Sequence, residues 1–312
     1  MIEIVNKDNN EINMNYVVEK NDTNITQILK NKYHFSSNYI KTIKSNKQIL
    51  INGILANINQ AIIPGDCLTV ILYADEESEN IVPLKIELDI LYEDNFMLVV
   101  NKPSNMPIHP SINHYYDSLS NAVKNYYVEH SYNYKIRPVN RLDKDTSGIV
   151  IFAKFPFIQE QLAMQMRNNQ FIKKYIAFVS GLFEPQSGTI NLPIVRKNNS
   201  IIERTVDSTR TDSKYQAITL YNTIEYYPQN DYSQVEFQLL TGKTHQIRVH
   251  SSYLGHPLLG DTLYGTPSDL ISRQALHSYY IEFTHPITNK KLQITSPLPD
   301  DINSLTQKNP KC

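Results

Sequence analysis

One aspartate stands out as a candidate catalytic group because of the residues that flank it. Asp143 lies in the segment 141–148, which reads Arg-Leu-Asp-Lys-Asp-Thr-Ser-Gly and directly precedes the apolar run 149–153. The β-branched and aromatic residues of that run predict a buried strand. We therefore expect Asp143 to lie in a loop that enters a sheet, where a rigid scaffold can hold a catalytic carboxylate. Asp143 and Asp145 also suit an ordinary turn, and the octamer alone leaves both interpretations open.

A second polar segment lies far downstream. Residues 240–250 read Leu-Thr-Gly-Lys-Thr-His-Gln-Ile-Arg-Val-His, and Gly-His-Pro follows at 255–257. Thr244 is a typical N-cap and Gly255 a typical C-cap, so the segment predicts a helix between them. The helix would carry Arg248 on a polar face, close to other side chains that can form hydrogen bonds.

Together the two segments resemble the RluA/RluD-type pseudouridine synthases. The resemblance runs from about residue 90 to residue 298 and includes Asn-Lys-Pro at 101–103, Lys-Lys-Tyr at 173–175 and Gly-Asp at 260–261. It implies an enzyme that isomerises uridine to pseudouridine in RNA without a cofactor or a metal. Many members of the family have His where this chain has Asn140, and Asn can also hydrogen-bond a loop backbone.

The resemblance also implies roles for five residues of this chain. Asp143 would be the nucleophile, acting either at the anomeric sugar carbon or through an eliminated sugar intermediate. Arg248 would keep this carboxylate ionised and orient it. Tyr175 would stack on the flipped uracil and assist removal of the proton at carbon five. Arg141 would help to hold the RNA with the base flipped out, and Leu276 would pack behind the base.

The first 80 residues predict a separate small module. Apolar residues at helical spacing predict short helices at 25–29 and 39–43, and Asn-Gly at 52–53 predicts a hairpin turn. This order resembles the RNA-binding module named for ribosomal small-subunit protein four. Its lysines are candidate phosphate contacts, although a solvated helix face would look the same. These lysines are Lys30, Lys32, Lys41, Lys44 and Lys47.

The predicted organisation is therefore a module with an acidic linker at 1–80 and a catalytic domain at 81–312. Strands are predicted at 90–93, 96–100, 149–153, 175–180, 215–227 and 234–240, with a helix at 157–168. Because strands and helices do not alternate regularly, the class is α+β rather than doubly wound. The resemblance implies a mixed, largely antiparallel sheet with flanking helices.

Composition narrows the choice of partners. The chain of 312 residues has 30 basic and 31 acidic residues, so any affinity for RNA must come from a locally basic surface. The cysteines are Cys67 and Cys312, which predicts neither a disulfide framework nor a zinc site. We find no signal segment and no apolar run long enough to span a membrane, and we expect a cytoplasmic monomer.

Alternative functions use the same residues. Residues 143–146 fit the Asp-x-Asp-x-Thr motif of aspartate-phosphorylating phosphatases, but that motif follows a buried strand, whereas here the strand comes after it. A non-catalytic RNA-binding protein is the more serious alternative, and the joint presence of Asp143, Tyr175 and Arg248 argues against it. We expect structured ribosomal RNA as the substrate because of the N-terminal module, with transfer RNA as the second choice.

Overall fold

The computed structural model describes residues 2–6, 10–74, 80–112 and 114–307. Most of the expected acidic linker, at 75–79, lies outside the described residues, as does Cys312. Cys67 is a free, half-buried thiol.

The described chain consists mainly of strands with short helices between them. The strands are β1 (Glu3–Asn6), β2 (Glu11–Val17), β3 (Ile49–Ile51), β4 (Ile54–Leu55), β5 (Cys67–Tyr73), β6 (Asp89–Glu93), β7 (Met97–Lys102), β8 (Ser147–Ala153), β9 (Ile172–Ser180), β10 (Ser187–Asn191), β11 (Ile194–Arg196), β12 (Arg204–Val206), β13 (Ile218–Tyr227), β14 (Tyr232–Leu239), β15 (Leu276–Thr284) and β16 (Lys291–Thr295). The helices are α1 (Ile25–Asn31), α2 (Ser37–Ser45), α3 (Leu119–Glu129), α4 (Pro156–Arg167), α5 (Gln246–Tyr253) and α6 (Asp300–Asn303).

A large sheet forms the centre of the molecule. Its strand order is β10-β13-β14-β9-β15-β8-β7-β6, and β16 pairs with β15. Neighbours along this path are antiparallel, except that β15 runs parallel to β8. The parallel pair places His277 beside Ser147 and Ser278 beside Gly148. The expected α+β class with a mixed, largely antiparallel sheet is confirmed.

Strand β8 explains the glycine that closes the Asp143 segment. Every residue of β8 is buried, as its apolar run predicted. Gly148 has φ +115°, and a Cβ atom at this position would lie 2.2 Å from the carbonyl oxygen of Ser278. Only glycine permits this close approach of two backbones. The approach fixes where the Asp143 loop enters the sheet.

Several boundaries differ from those expected. Residues 213–215 form a turn of 3₁₀ helix, so β13 starts at Ile218 rather than at residue 215. Thr244 does not cap α5, because the cap residue is His245, whose left-handed backbone (φ 58°, ψ 23°) turns the chain into the helix. Gly255 lies one position beyond the cap Leu254 and has φ +85°. Helix α3 and strands β15 and β16 were not expected.

The N-terminal elements form a smaller sheet of order β1-β2-β5-β3-β4, with α1 and α2 beside it. The expected helices and hairpin are present. The side chain of Ser36 accepts a hydrogen bond from the backbone N–H of Tyr39 at the start of α2. Asn52 and Gly53 both have positive φ, as a tight hairpin turn requires. Strands β1 and β2 complete this sheet and were not expected.

Helix α4 contacts this N-terminal part. The Phe157 ring packs 5.0 Å from the Phe35 ring and 5.4 Å from the Tyr39 ring, measured between centroids. The Gln161 side chain donates to the backbone carbonyls of Tyr33 and His34. These contacts attach the N-terminal elements directly to the large sheet's helical layer. The division of the chain at residue 80 stays a prediction.

Candidate active site

Neighbouring strands of the large sheet bring the candidate residues together. Asp143 lies in the loop before β8, Tyr175 lies in β9 and Leu276 begins β15. Strand β15 is hydrogen-bonded to both β8 and β9, and its Ser278 lies opposite Tyr175. Arg248 reaches the same place from α5. All four candidate side chains line one pocket of about 60 Å³.

The carboxylate of Asp143 meets an arginine whose position is fixed from behind. Arg248 Nη1 donates to Asp143 Oδ2 over 3.2 Å. The opposite edge of the guanidinium binds Asp261 bidentately, with Nε–Oδ2 at 2.7 Å and Nη2–Oδ1 at 2.8 Å. Asp261 is fully buried and also accepts from the backbone N–H groups of Leu263 and Tyr264. Arg248 is therefore held by a buried anion and presents its free edge to Asp143.

Asp143, Arg248 and Asp261 differ in charge and in solvent exposure. The Arg248 side chain is 8% exposed and that of Asp143 is 27% exposed, so the carboxylate faces the cleft while the arginine does not. Burial alone would lower the pKa of Arg248, but the Asp261 and Asp143 carboxylates raise it above its ordinary value. The guanidinium therefore stays charged where it contacts Asp143.

Tyr175 forms a buried wall of the pocket. Burial raises the pKa of Tyr175 to about 12, and the negative charge of Asp143 adds to this effect. The phenol therefore remains protonated at neutral pH. This protonation favours an aromatic contact over a role as proton acceptor in the free protein.

The pocket shares Asp143, Tyr175 and Arg141 with a cleft of about 460 Å³. Lys173 and Lys243 also line this cleft and give it positive charge. Burial lowers the pKa of Lys173, and within the described residues its ammonium group has no ion-pair partner. A chain of nearly zero net charge thus has a locally basic cleft beside Asp143.

A sequence model of the family described as RNA pseudouridylate synthase matches residues 96–253, about half of the chain, and the match includes Asp143, Tyr175 and Arg248. The chain belongs to this family. It is an RNA pseudouridine synthase, and the expected RluA/RluD-type relationship and enzymatic activity are confirmed.

Relatives support this assignment over most of the chain. The uncharacterized RNA pseudouridine synthase YjbO of Bacillus subtilis (strain 168) is 40% identical over 256 residues, covering 82% of this chain and 88% of that protein. Ribosomal large subunit pseudouridine synthase D of Blochmanniella floridana is 34% identical, with coverage of 87% and 89%. The structure of human RNA pseudouridylate synthase domain containing 1 superposes with a TM-score of 0.56 at 25% identity, covering 68% of this chain and 84% of that one.

In this synthase a buried lysine fixes the Asp143 loop. Lys102 is completely buried, and its Nζ donates to the carbonyls of Pro103, Met106 and Lys144 at 2.7–2.9 Å. Burial lowers the pKa of Lys102 to about 7, against the charge of Asp145, which raises it. Three acceptors match the three protons of an ammonium group. The Asn-Lys-Pro motif at 101–103 did not predict this role for Lys102.

Arg273 fixes the other side of the loop. It donates to the Asp145 carbonyl at 2.9 Å and is itself held by both oxygens of Asp301 at 2.6 and 3.0 Å. The Asn140 side chain donates to the Ile149 carbonyl and accepts from the Ile151 N–H, so its backbone partners lie in strand β8 rather than in a loop as expected. The nucleophile loop is therefore held at both ends.

The remaining candidates lie in different places. Arg141 is exposed and lines both the pocket and the cleft. Lys41 and Lys44 are exposed on α2, where Lys44 and Lys47 border a separate groove of about 300 Å³. The structure does not bring Lys41 or Lys44 to the pocket around Asp143.

Within the described residues, no group of three or more His, Cys, Asp or Glu side chains is arranged to hold a metal ion. In the same part of the chain, no helix combines the length and apolar character needed to cross a membrane.

Proposed function

We propose that this synthase isomerises uridine in structured ribosomal RNA with Asp143 as the nucleophile. The observation that carries the proposal is the Asp143–Arg248–Asp261 chain, which presents an oriented carboxylate to a basic cleft. Relatives named ribosomal large subunit pseudouridine synthase D support the choice of ribosomal RNA. Transfer RNA is the alternative substrate.

The geometry supports attack from one side of the carboxylate. Oδ2 of Asp143 accepts from Arg248, and we assign the attack on the sugar to Oδ1. In either family route the bond between N1 of uracil and the anomeric carbon breaks, and carbon five of the rotated base bonds to that carbon. The proton on carbon five is lost and N1 gains one, so the product is an isomer. No redox partner is needed.

The pocket supports a flipped base as the reacting form. A uridine inside a helix cannot reach Asp143 unless it leaves its stack. We assign the Tyr175 ring to stacking on the uracil and Leu276 to packing behind it, since both line the pocket beside Asp143. The exposed Arg141 at the border of pocket and cleft would contact the opened RNA.

We propose further that the N-terminal sheet and helices are an RNA anchor of the small-subunit protein four type. The order of helices and hairpin supports this, as do the exposed lysines of α2, Lys41 and Lys44. Such lysines bind phosphates without reading sequence. Since the relatives named synthase D are bacterial, we place the enzyme in the cytoplasm with its RNA, and we expect a monomer.

Tritium release tests the nucleophile. Ribosomal RNA transcripts labelled with tritium at carbon five of uridine should release label in the presence of a chelator. Asp143→Asn should reduce release at least a thousandfold, on the order of the loss for a nucleophile, while RNA binding changes little. Asp145→Asn is the matched control, because Asp145 meets Arg273 through its backbone carbonyl.

The outcomes separate the assignments. Near-normal turnover by Asp143→Asn with loss in Asp145→Asn would move the nucleophile to Asp145. Pseudouridine mapping of total RNA from a strain that lacks the gene, against its parent, decides the substrate. A missing site in transfer RNA rather than ribosomal RNA would overturn the substrate assignment.

A further inference from the structure

His245 lies beside the proposed nucleophile in an unusual conformation. Its Nε2 is 3.8 Å from Asp143 Oδ2, and its side chain is 12% exposed. Its backbone is in the left-handed region, with φ 58° and ψ 23°. A residue other than glycine adopts this region at a cost of about 1–2 kcal/mol. The fold therefore holds the imidazole at this position against a local preference.

The hydrogen bonds around Tyr264 determine which nitrogen of His245 carries the proton. The backbone N–H of Arg204 donates to the Tyr264 hydroxyl oxygen over 2.8 Å. The same hydroxyl lies 2.8 Å from Nδ1 of His245. The Tyr264 hydroxyl has a single proton, and among the described residues Nδ1 is the side-chain acceptor within reach of it, so the geometry favours donation from Tyr264 to Nδ1. A neutral imidazole whose Nδ1 accepts must carry its proton on Nε2.

In that tautomer the Nε2–H group is uncharged and lies 3.8 Å from Asp143 Oδ2, just beyond hydrogen-bond distance. Protonation of His245 would place a proton on Nδ1 and break the bond donated by Tyr264. Burial and the positive charges of Arg248 and Arg204 lower the pKa of His245, against the opposing effect of Asp143. Charged and titratable groups surround the imidazole from every neighbouring element. They are Asp143, Arg141, Tyr175, Arg204, Lys243, Arg248, Asp261 and Tyr264.

We propose that Tyr264 is a positioning residue that holds His245 as a neutral Nε2–H donor beside Asp143. This inference rests on the proposed role of Asp143 as nucleophile. The carboxylate then meets one cation, Arg248, and one uncharged donor. An imidazolium 3.8 Å from Oδ2 would instead add a second cation. Two cations would stabilise the carboxylate as an ion pair and make it a poorer nucleophile.

Tyr264→Phe isolates the hydroxyl. The Arg248 guanidinium carbon lies over the Tyr264 ring, 5.1 Å from the ring centroid, and phenylalanine retains this ring. His245→Asn is the matched variant, because asparagine tolerates the left-handed backbone but cannot titrate near neutral pH. The double variant shows whether an effect of Tyr264→Phe requires the imidazole.

Nitrogen NMR of the imidazoles tests the tautomer directly. The chain has nine histidines, and the signal absent from His245→Asn identifies His245. The wild-type spectrum should show an unprotonated Nδ1, a protonated Nε2 and a pKa below the ordinary value of about 6.5. Tyr264→Phe should raise that pKa. A protonated Nδ1 in the neutral wild-type protein overturns the proposal, and this measurement decides even if Tyr264→Phe does not fold.

Single-turnover tritium release from ribosomal RNA transcripts tests the consequence. If the pKa of His245 rises to about 7 in Tyr264→Phe, the variant should lose roughly tenfold in rate between pH 8 and pH 6, relative to wild type. The loss lies on the acid side because protonation is the harmful event. It should vanish in the double variant. A Tyr264→Phe profile parallel to wild type refutes the inference, whereas an active Asp143→Asn refutes the proposed function instead.

Discussion

Replacing Asp261 by Asn tests whether the arginine behind the nucleophile must be fixed. The Asp261 carboxylate is fully buried and accepts from Arg248 Nε and Nη2 and from the backbone of Leu263 and Tyr264. Oδ1 takes three of these bonds. If the oxygen of an asparagine occupies the Oδ1 position, its NH₂ group occupies the Oδ2 position and faces Nε of Arg248. Both groups are hydrogen-bond donors, so this contact is repulsive.

The structure sets the size of the effect. Breaking a buried ion pair on one side costs about 3–5 kcal/mol, because the remaining charge stays buried. For a chain of this size that corresponds to a fall in melting temperature of about 10 °C. Arg248 would also be drawn toward Asp143, and a shift of about 1 Å at a catalytic group can reduce turnover roughly a hundredfold.

Thermal unfolding and single-turnover tritium release measure the two effects separately. Asp207→Asn is the control, because Asp207 pairs with Arg210 at the surface over 3.1 Å. A surface pair contributes about 1 kcal/mol or less, so the control should melt and react like wild type. An Asp261→Asn protein with normal melting and normal turnover would refute the argument that Asp261 holds Arg248.

Further substitutions test the other structural claims. Gly148→Ala should destabilise the fold by about 3 kcal/mol or more, because the new Cβ would lie 2.2 Å from the Ser278 carbonyl oxygen. Gly65→Ala is the control, since Gly65 has φ +98° but open space around it, and it should cost less free energy of unfolding in a denaturant titration. Lys173→Met should leave the melting temperature unchanged or raise it, yet weaken RNA binding roughly tenfold and reduce the slope of affinity against salt by about one. Exposed Lys290→Met is the control. An unchanged slope would contradict a phosphate contact by Lys173. Residues 81–312 alone should fold but melt at a lower temperature, because the ring contacts of Phe157 with Phe35 and Tyr39 are lost. Their affinity for long RNA and its salt dependence should both fall. Unchanged binding would show that the N-terminal part is not an RNA anchor.

The sequence was sufficient for features that depend on local pattern. The apolar run after Gly148 predicted β8, the spacing of Ile158 and Leu162 predicted α4, and Asn52-Gly53 predicted a hairpin turn. Each depends on periodicity or on a backbone conformation that few residues adopt. The motifs also selected Asp143, Tyr175, Arg248 and Leu276, which the structure places around one pocket.

The start of α5 shows where local pattern was insufficient. Thr244 has the side chain of an N-cap, but the chain turns through a left-handed His245 instead. Gln246 explains this outcome: its amide donates to the Ile218 carbonyl and accepts from the Lys243 backbone. Bonds to a distant strand therefore fix the turn, and helix-capping preference does not include them.

The cations near the nucleophile fall into two groups that the sequence could not separate. Arg248, Arg273 and Lys102 are buried, and their donors are occupied by carboxylates or carbonyls, so they hold geometry. Arg141 and Lys173 line the cleft and are available to an anionic ligand. Salt screens exposed charges far more than buried pairs. Affinity for RNA should therefore depend on the cleft cations, while the rate of the bound complex depends on the buried ones.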